Sequence, residues 1–324
     1  MQAILLKNKD LVVGEYPKPK PGPYEVLVEV AAAGVNRADL LQREGKYPPP
    51  RGASPILGLE VAGTIVEKGS KVNHLKIGDA VMGLLPGGGY AQYAIMNEGL
   101  AMPIPENLGF TEAAAIPEVF LTAWQALSWL GKVDKGNWVL IHAGASGVGT
   151  AAIQLATALG AEVIVTASSA KHKACKRLGA HYCIDYKLGD WSGQVIELTR
   201  GHGVDVIIDF IGANYWKPNI ESLAVDGRLV LLGLMGGHKI EGSLAPLLQK
   251  RISVFGSTLR ARTTKYQAEL TQDLAKFLLP KLTHTEIKPV LDEVYSWQEA
   301  NKAHQRMAAN ANIGKIVLDF LPDN

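Results

Sequence analysis

The sequence predicts an α/β protein in which a doubly wound parallel sheet is joined to a second, mainly β domain. Three observations carry that expectation. From Trp138 onward, apolar strands alternate with helical stretches, the pattern of a parallel sheet covered on both faces. A glycine-bearing turn, Gly144 to Gly149, leads from a strand directly into a small-residue helix. The first third of the chain instead holds short alternating strands punctuated by Gly and Pro.

In chain order, the first third predicts strands at Glu25–Val30, Gly63–Glu67 and Asp79–Gly83, with Pro17–Pro23 as a surface connection. The middle predicts strands at Trp138–His142, Glu162–Thr166, His181–Ile184, Val204–Phe210, Arg228–Leu232 and Ile252–Phe255. Helices are placed between them at Thr150–Leu159, Ala170–Leu178, Trp191–Thr199, Tyr215–Leu223 and Ala245–Lys250. Gly160 and Gly179 follow two of these helices as C-terminal stops. A helix at Lys265–Leu279 and a closing strand at Gly314–Phe320 fit the sixfold pattern less well, so the tail is expected to return to the first domain.

At 324 residues the chain exceeds the size at which one core keeps growing, which favours two domains. With 47% hydrophobic and 20% charged residues it matches a globular protein with a sizeable core. Thirty-three basic against thirty-one acidic residues leave a net charge of +2, with no footprint for nucleic acid or an anionic membrane. A small-molecule partner is favoured. Cys175 and Cys183 show neither disulfide nor zinc-site spacing, no apolar run is long enough to span a bilayer, and the N-terminus lacks a basic leader. These features are read as those of a reducing, cytoplasmic setting.

Val139–His142 is a buried strand by composition, and it runs into Ala143-Gly144-Ala145-Ser146-Gly147-Val148-Gly149. Glycine lets the backbone approach a pyrophosphate, while helix N–H groups and the helix dipole face its charge. Aligned on Gly144 and Gly149, the middle glycine of the common fingerprint is replaced by Ser146. A tight turn without a ligand is the alternative. About 20 residues further on, where NAD sites place an acid on the ribose, the chain reads Thr166-Ala167-Ser168-Ser169-Ala170-Lys171. Hydroxyls and cations there suit a 2′-phosphate, so NADPH is preferred to NADH. A solvated helix start would also account for Lys171 and Lys173. The loops Phe210–Gly212 and Leu232–Gly237 follow later strands at the ends where such sheets bind ligands, though a simple turn explains their glycines equally well.

Taken together, Gly34-Val35-Asn36-Arg37-Ala38-Asp39, Gly58–Gly63, His142–Gly149 and Ile313-Gly314-Lys315-Ile316-Val317 resemble the medium-chain dehydrogenases/reductases, in particular their quinone oxidoreductase branch. Within that branch Leu84–Gly89, Ala113–Glu118 and Gly233–Gly237 look most similar to the p53-inducible type. The resemblance covers essentially the whole chain. It implies a GroES-like catalytic domain (1–121), a Rossmann NADPH-binding domain (122–260), and return of 261–324 to the first, with a cleft between domains and a homodimer formed through the Rossmann domains. Tyr47 and Asn36 are then expected at the substrate, Tyr47 also beside the cofactor, and Thr122 near the nicotinamide. Gly144 and Ser146 to Gly149 (through Gly147 and Val148) would hold the pyrophosphate. Ser168, Lys171 and Tyr186 would meet the 2′-phosphate, and Gly233, Ser257, Leu259 and Asn312 would lie near the cofactor.

Zinc-dependent relatives carry Cys where this chain has Asn36 and His where it has Leu59, and the two cysteines cannot build a structural zinc lobe. Zinc independence is therefore expected. Without a Lewis acid the substrate should need less help, and a quinone, which delocalises the charge it receives, meets that requirement. Tyr47 is read as a hydrogen-bond or proton donor to the quinone and Asn36 as an orienting group. Beside Pro48-Pro49-Pro50, Tyr47 also reads as a loop anchor. Two other readings stand: reduction of enones or enoyl thioesters, and a nucleotide-bound binding or structural protein with little turnover.

Overall fold

Residues 1–321 are described by the computed structural model, in two units: Met1–Leu121 with the chain from Leu259 onward, and Thr122–Thr258. The first unit opens with an antiparallel hairpin, β1 (Gln2–Lys7) and β2 (Asp10–Glu15). It continues through β3 (Glu25–Val35), α1 (Arg37–Arg43), β4 (Glu60–Lys68), β5 (Ala80–Leu84), β6 (Tyr93–Asn97), β7 (Ala101–Pro103) and α2 (Phe110–Ala113). α3 (Pro117–Trp124) carries the chain into the second unit and winds on as a π-helical turn, Gln125–Leu130.

β3 runs five residues further than the alternation predicts, to Val35. Ala31-Ala32-Ala33 has helical propensity, yet this stretch pairs with β4 through Ala32↔Ala62 and Ala33↔Val61 and is buried. Ladder pairing on a buried strand outweighs a propensity worth only tenths of a kcal/mol per residue.

The second unit is a six-stranded sheet with every pairing parallel. Its strands and helices run β8 (Trp138–Ile141), α4 (Gly147–Ala158), β9 (Glu162–Thr166), α5 (His172–Arg177), β10 (Tyr182–Ile184), α6 (Trp191–Leu198), β11 (Val204–Asp209), α7 (Trp216–Ser222), β12 (Leu223–Leu231), α8 (Ala245–Gln249) and β13 (Ser253–Gly256). The order β10-β9-β8-β11-β12-β13 is the doubly wound order, whose direction reverses between β8 and β11. Ligands bind at the carboxyl ends of strands at that switch point. Leu140, Ile164, Ile207 and Leu229, one from each of four neighbouring strands, pack with Val195 and Leu223 in its core.

The tail contributes α9 (Thr264–Thr283), β14 (Leu291–Ser296), α10 (Ala300–Ala308) and β15 (Lys315–Asp319). β15 pairs antiparallel with β3, Ile316 opposite Val35, and β14 joins it in parallel. The first-unit core, including Val28, Val35, Val61, Tyr90, Ile316 and Leu318, thus joins segments from opposite ends of the chain. The sequence reading assigned no strand or helix at β1, β2, β6, β7, β14, α1, α2, α3 or α10. Among the described residues no helix is long and apolar enough to cross a membrane.

Candidate active site

Four charged or amide side chains are buried where β3, α1, β4 and β15 meet. Lys315, at the start of β15, donates from Nζ to Glu60 Oε1, Asn36 Oδ1 and Val35 O, each at 2.7 Å. Its three protons therefore meet three acceptors. Asn36 Nδ2 donates to Glu60 Oε1 at 2.8 Å and more weakly to Gly34 O at 3.4 Å. Glu60 Oε2 accepts from the Glu118 backbone N at 2.8 Å. The approach of Glu60 depends on Gly34, because a Cβ there would lie 2.2 Å from Glu60 Oε1.

Asn36 precedes α1, but its side chain does not cap the helix. Asp39 takes that task from inside the first turn, accepting from Asn36 N at 2.8 Å and from Gly58 N at 3.1 Å. Tyr90 adds a third donor to Asp39 at 3.2 Å and touches His304 Nε2 on its far side. Burial dominates over these bonds and pushes the Asp39 carboxyl up to about 6. His304 is pulled down to about 3 by burial and so is neutral.

Tyr47 follows α1 and is half-buried, with the guanidinium of Arg260 standing 5.6 Å from its ring centroid. Burial, reinforced by the Glu118 carboxyl, raises the Tyr47 phenol above its ordinary value, while Arg260 opposes the shift. Glu118 itself is pushed up to about 8 by burial and then by Glu60. Its carboxyl is neutral at pH 7. Arg260 anchors on Pro86 O through Nε at 2.9 Å and Nη2 at 2.6 Å. Asp39, Glu60, Glu118, Arg260 and Lys315 had no role in the sequence reading. The available signal was a charge inside an apolar stretch, such as Lys315 before Ile316-Val317-Leu318. A separate cleft of about 740 Å³ beside α9 and β7 shares no lining residue with this cluster.

In the second unit the turn after β8 differs from the glycine reading in one respect. The residue in left-handed conformation is Ala143, at φ +49°, rather than a glycine. Gly144 is required for a different reason: a Cβ there would lie 2.7 Å from the Cβ of Val165 on β9. Ser146, which interrupts the fingerprint, is the N-cap of α4 and accepts from Gly149 N at 3.0 Å. The first-turn N–H groups of Gly147 and Val148 have no acceptor within the helix, which begins six residues after β8, a strand that borders the switch point.

Beneath the turn, His142 is fully buried between Thr166 Oγ1 (2.9 Å to Nδ1) and Asn219 Oδ1 (2.7 Å to Nε2). Asn219 Nδ2 donates to Asp209, which also accepts from Ile211 N and Gly212 N. That chain assigns the tautomer: Asn219 turns its oxygen to His142, so Nε2 carries the proton and Nδ1 accepts from Thr166. Burial lowers His142 to about 4 and raises Asp209 to about 6. The network ties the carboxyl ends of β8, β9 and β11, the strands that frame the switch point.

Ser168 and Lys171 follow β9, and Tyr186 follows β10 with its ring exposed. An acid absent from the sequence stretch is supplied by the neighbouring strand: Asp185 accepts from the Ser169 N at 2.8 Å and from its hydroxyl. Those bonds, led by the hydroxyl's, depress it to about 2, so the loop carries a fixed anion beside Lys171. Ser257 Oγ donates to Gln125 Oε1 at 2.7 Å on the π turn, and Gly233 lies just past β12. Thr122 lies on α3. Leu259 is buried in the first unit, as is Asn312, whose Nδ2 donates to Gly314 O at 2.7 Å.

Residues 22–106 match the alcohol dehydrogenase GroES-like domain, and residues 147–277 match the zinc-binding dehydrogenase family. A quinone oxidoreductase of Pseudomonas syringae pv. tomato is 32% identical, with a TM-score of 0.87 and 98% of each chain covered. The chain belongs to the medium-chain dehydrogenase/reductase superfamily.

Other members of the superfamily are equally similar. The CurK enoyl reductase is 29% identical at a TM-score of 0.87 over 98% of both chains. A mycobacterial protein complexed with NADPH is 30% identical at 0.88, over 98% of this chain and 100% of that one. Among curated relatives, a phenolphthiocerol/phthiocerol polyketide synthase of Mycobacterium tuberculosis is 31% identical over 96% of this chain. This chain spans 14% of that synthase's length.

The zinc that many members of the superfamily use does not fit the residues present here. Leu59 is apolar and buried, Asn36 is committed at both ends of its amide, and the ammonium of Lys315 stands among the remaining oxygens. No group of three His, Cys, Asp or Glu side chains is arranged for a metal among the described residues. A dinucleotide does fit the second unit, where the α4 N-terminus, the close-packed Gly144 and the switch point coincide.

Proposed function

We propose that this protein is a zinc-independent, NADPH-dependent reductase whose acceptors are quinones, in the quinone oxidoreductase branch and most similar to its p53-inducible type. The observation that carries the reading is the closed Lys315–Asn36–Glu60 cluster at the position where zinc-dependent members bind metal. A substrate that accepts hydride without a Lewis acid suits such a site, and a quinone is one. NADPH supplies the hydride when bound. Its pyrophosphate is assigned to Gly144 and Ser146–Gly149, and its 2′-phosphate to Lys171, Ser168 and Tyr186. Gly233, Thr122, Ser257, Leu259 and Asn312 complete the cofactor surroundings in this reading.

Tyr47 holds its phenolic proton at neutral pH, as a phenol ordinarily does, and burial raises its value further. It is thus a donor to the acceptor oxygen, not a base. Asn36 serves as a fixed wall, and its weak bond to Gly34 O is the one a substrate oxygen replaces. The homodimer is assigned to the second unit, where Val254 on the edge strand β13 and Leu244 and Leu248 at α8 stand exposed.

The similarity to CurK favours a second reading, reduction of enones or enoyl thioesters. A panel of quinones, enones and enoyl thioesters, followed by loss of NADPH absorbance, ranks the two. Quinone turnover that falls at least tenfold in Tyr47→Phe is expected; enone turnover with none on quinones would replace the first reading with the second. Oxidation of NADPH by neither class would leave a binding protein.

A further inference from the structure

Arg260 is more than nine-tenths buried, and it is the one arginine among the described residues with a buried nitrogen, Nη1, that has no hydrogen-bond partner. Its other two contacts explain its position but not its charge. Nε and Nη2 converge on a single carbonyl, Pro86 O, which a neutral donor would satisfy equally well. A buried guanidinium whose remaining N–H is unmet is costly, because the desolvated donor has lost its water and gained nothing. An unmet buried donor of this kind calls for an explanation, and a ligand that completes it is one.

The surroundings say what the ligand is. Tyr47 presents its ring to the guanidinium at 5.6 Å, and the Asp39 and Glu118 carboxyls lie within electrostatic reach. Neither carboxyl bonds to it: Asp39 is engaged by Asn36, Gly58 and Tyr90, and Glu118 makes no bond to the guanidinium. With Glu118 neutral, Asp39 is the ionised carboxyl within electrostatic reach of Arg260, and it does not bond to the guanidinium beside the phenol. Resting on the reductase reading above, we propose that Arg260 binds the acceptor oxygen, donating from Nη1 to the oxyanion that forms as hydride arrives.

NADPH, when bound, would supply a hydride, the hydrogen of a C–H bond together with its electron pair, to a conjugated carbon of the acceptor. The carbonyl π pair moves onto oxygen, which Arg260 meets as an anion. A proton from Tyr47 Oη, or from water, then neutralises it. The acceptor is reduced by two electrons and NADPH is oxidised by two. Preorganised donors aimed at developing charge stabilise the transition state more than the ground state.

The probe is 4-nitrophenol, whose ionised form mimics the oxyanion, with nitrobenzene as its neutral counterpart, added to the full chain loaded with NADP⁺. Wild type should favour the phenolate, seen as its absorbance band appearing at a pH at least one unit lower when bound. Arg260→Met should lose the preference tenfold or more while its affinity for nitrobenzene stays within about twofold. Arg260→Lys, which keeps a charge and a donor for Pro86 O, should retain part of it, and covers the case in which the methionine variant does not fold. Equal weakening of both probes in the variants, or an unshifted phenol in wild type, would overturn the proposal and leave Arg260 as a loop anchor. Because no turnover is measured, phenolate selectivity without quinone reduction would sink the quinone reading alone.

Discussion

Lys315 Nζ and Asn36 Oδ1 lie 2.7 Å apart, joining a strand near the C-terminus to the first residue before α1, 279 positions away in sequence. The bond sets which face of the Asn36 amide meets Glu60 and which is left toward Gly34. It makes the candidate catalytic residue a product of tertiary assembly.

Removing the ammonium should be costly. Lys315→Met leaves Glu60 buried without its counter-ion, an effect of about 3–5 kcal/mol for pairs of this kind. Urea unfolding should register that loss, and Lys315→Met with Glu60→Gln should recover most of it. Equal stability of the single variant and wild type would show that Glu60 finds another partner.

The turn at Ala143 stores a smaller strain. Left-handed backbone costs a non-glycine residue about 1–2 kcal/mol, against about 0.4–1 kcal/mol of unfolded-state entropy introduced by glycine. Ala143→Gly should therefore stabilise the chain by up to about 1 kcal/mol in thermal or chemical denaturation. Gly144→Ala, which would drive a Cβ against Val165, should destabilise it and weaken dinucleotide binding.

His142 gives acid sensitivity. Its folded value of about 4 lies below the ordinary 6.5, so the unfolded chain binds more protons between them. The stability it contributes is present above pH 6.5 and is lost as pH falls toward 4, by about 3 kcal/mol in full. Asp209, raised to about 6, acts in the opposite direction over part of that window. His142→Gln should flatten the acid limb of a stability–pH curve relative to wild type, which isolates the histidine.

Glu118 gives the reverse sign. Its folded value of about 8 exceeds the ordinary 4.5, so its contribution is complete below pH 4.5 and is lost as pH rises through 8. Glu118→Gln keeps the shape without the ionisation. Its stability should exceed that of wild type at pH 9 and match it near pH 4, as thermal midpoints across that range would report.

Lys171→Ala addresses the cofactor. Loss of one charge-assisted contact to a 2′-phosphate, about 1.5–3 kcal/mol, should raise the NADPH requirement tenfold or more and leave that for NADH nearly unchanged. An equal effect on both would place Lys171 outside the phosphate site.

The sequence by itself determined the doubly wound sheet, because parallel strands buried on both faces read as apolar runs and their helices as the intervals between them. It also located the strand-to-helix turn at Gly144–Gly149, a local feature of one short segment. It did not reveal that Ser146 caps α4 or that Ala143 takes the strain, since both depend on backbone angles. Asp185 beside Ser169 was equally hidden, because adjacency between parallel strands is set by sheet order, not by distance along the chain. Only the tertiary structure decided the candidate active site. Its charges, Lys315, Glu60, Asp39, Glu118 and Arg260, come from separate segments, and each is given meaning by the partner that burial forces on it or, for Arg260 Nη1, by the one it still lacks.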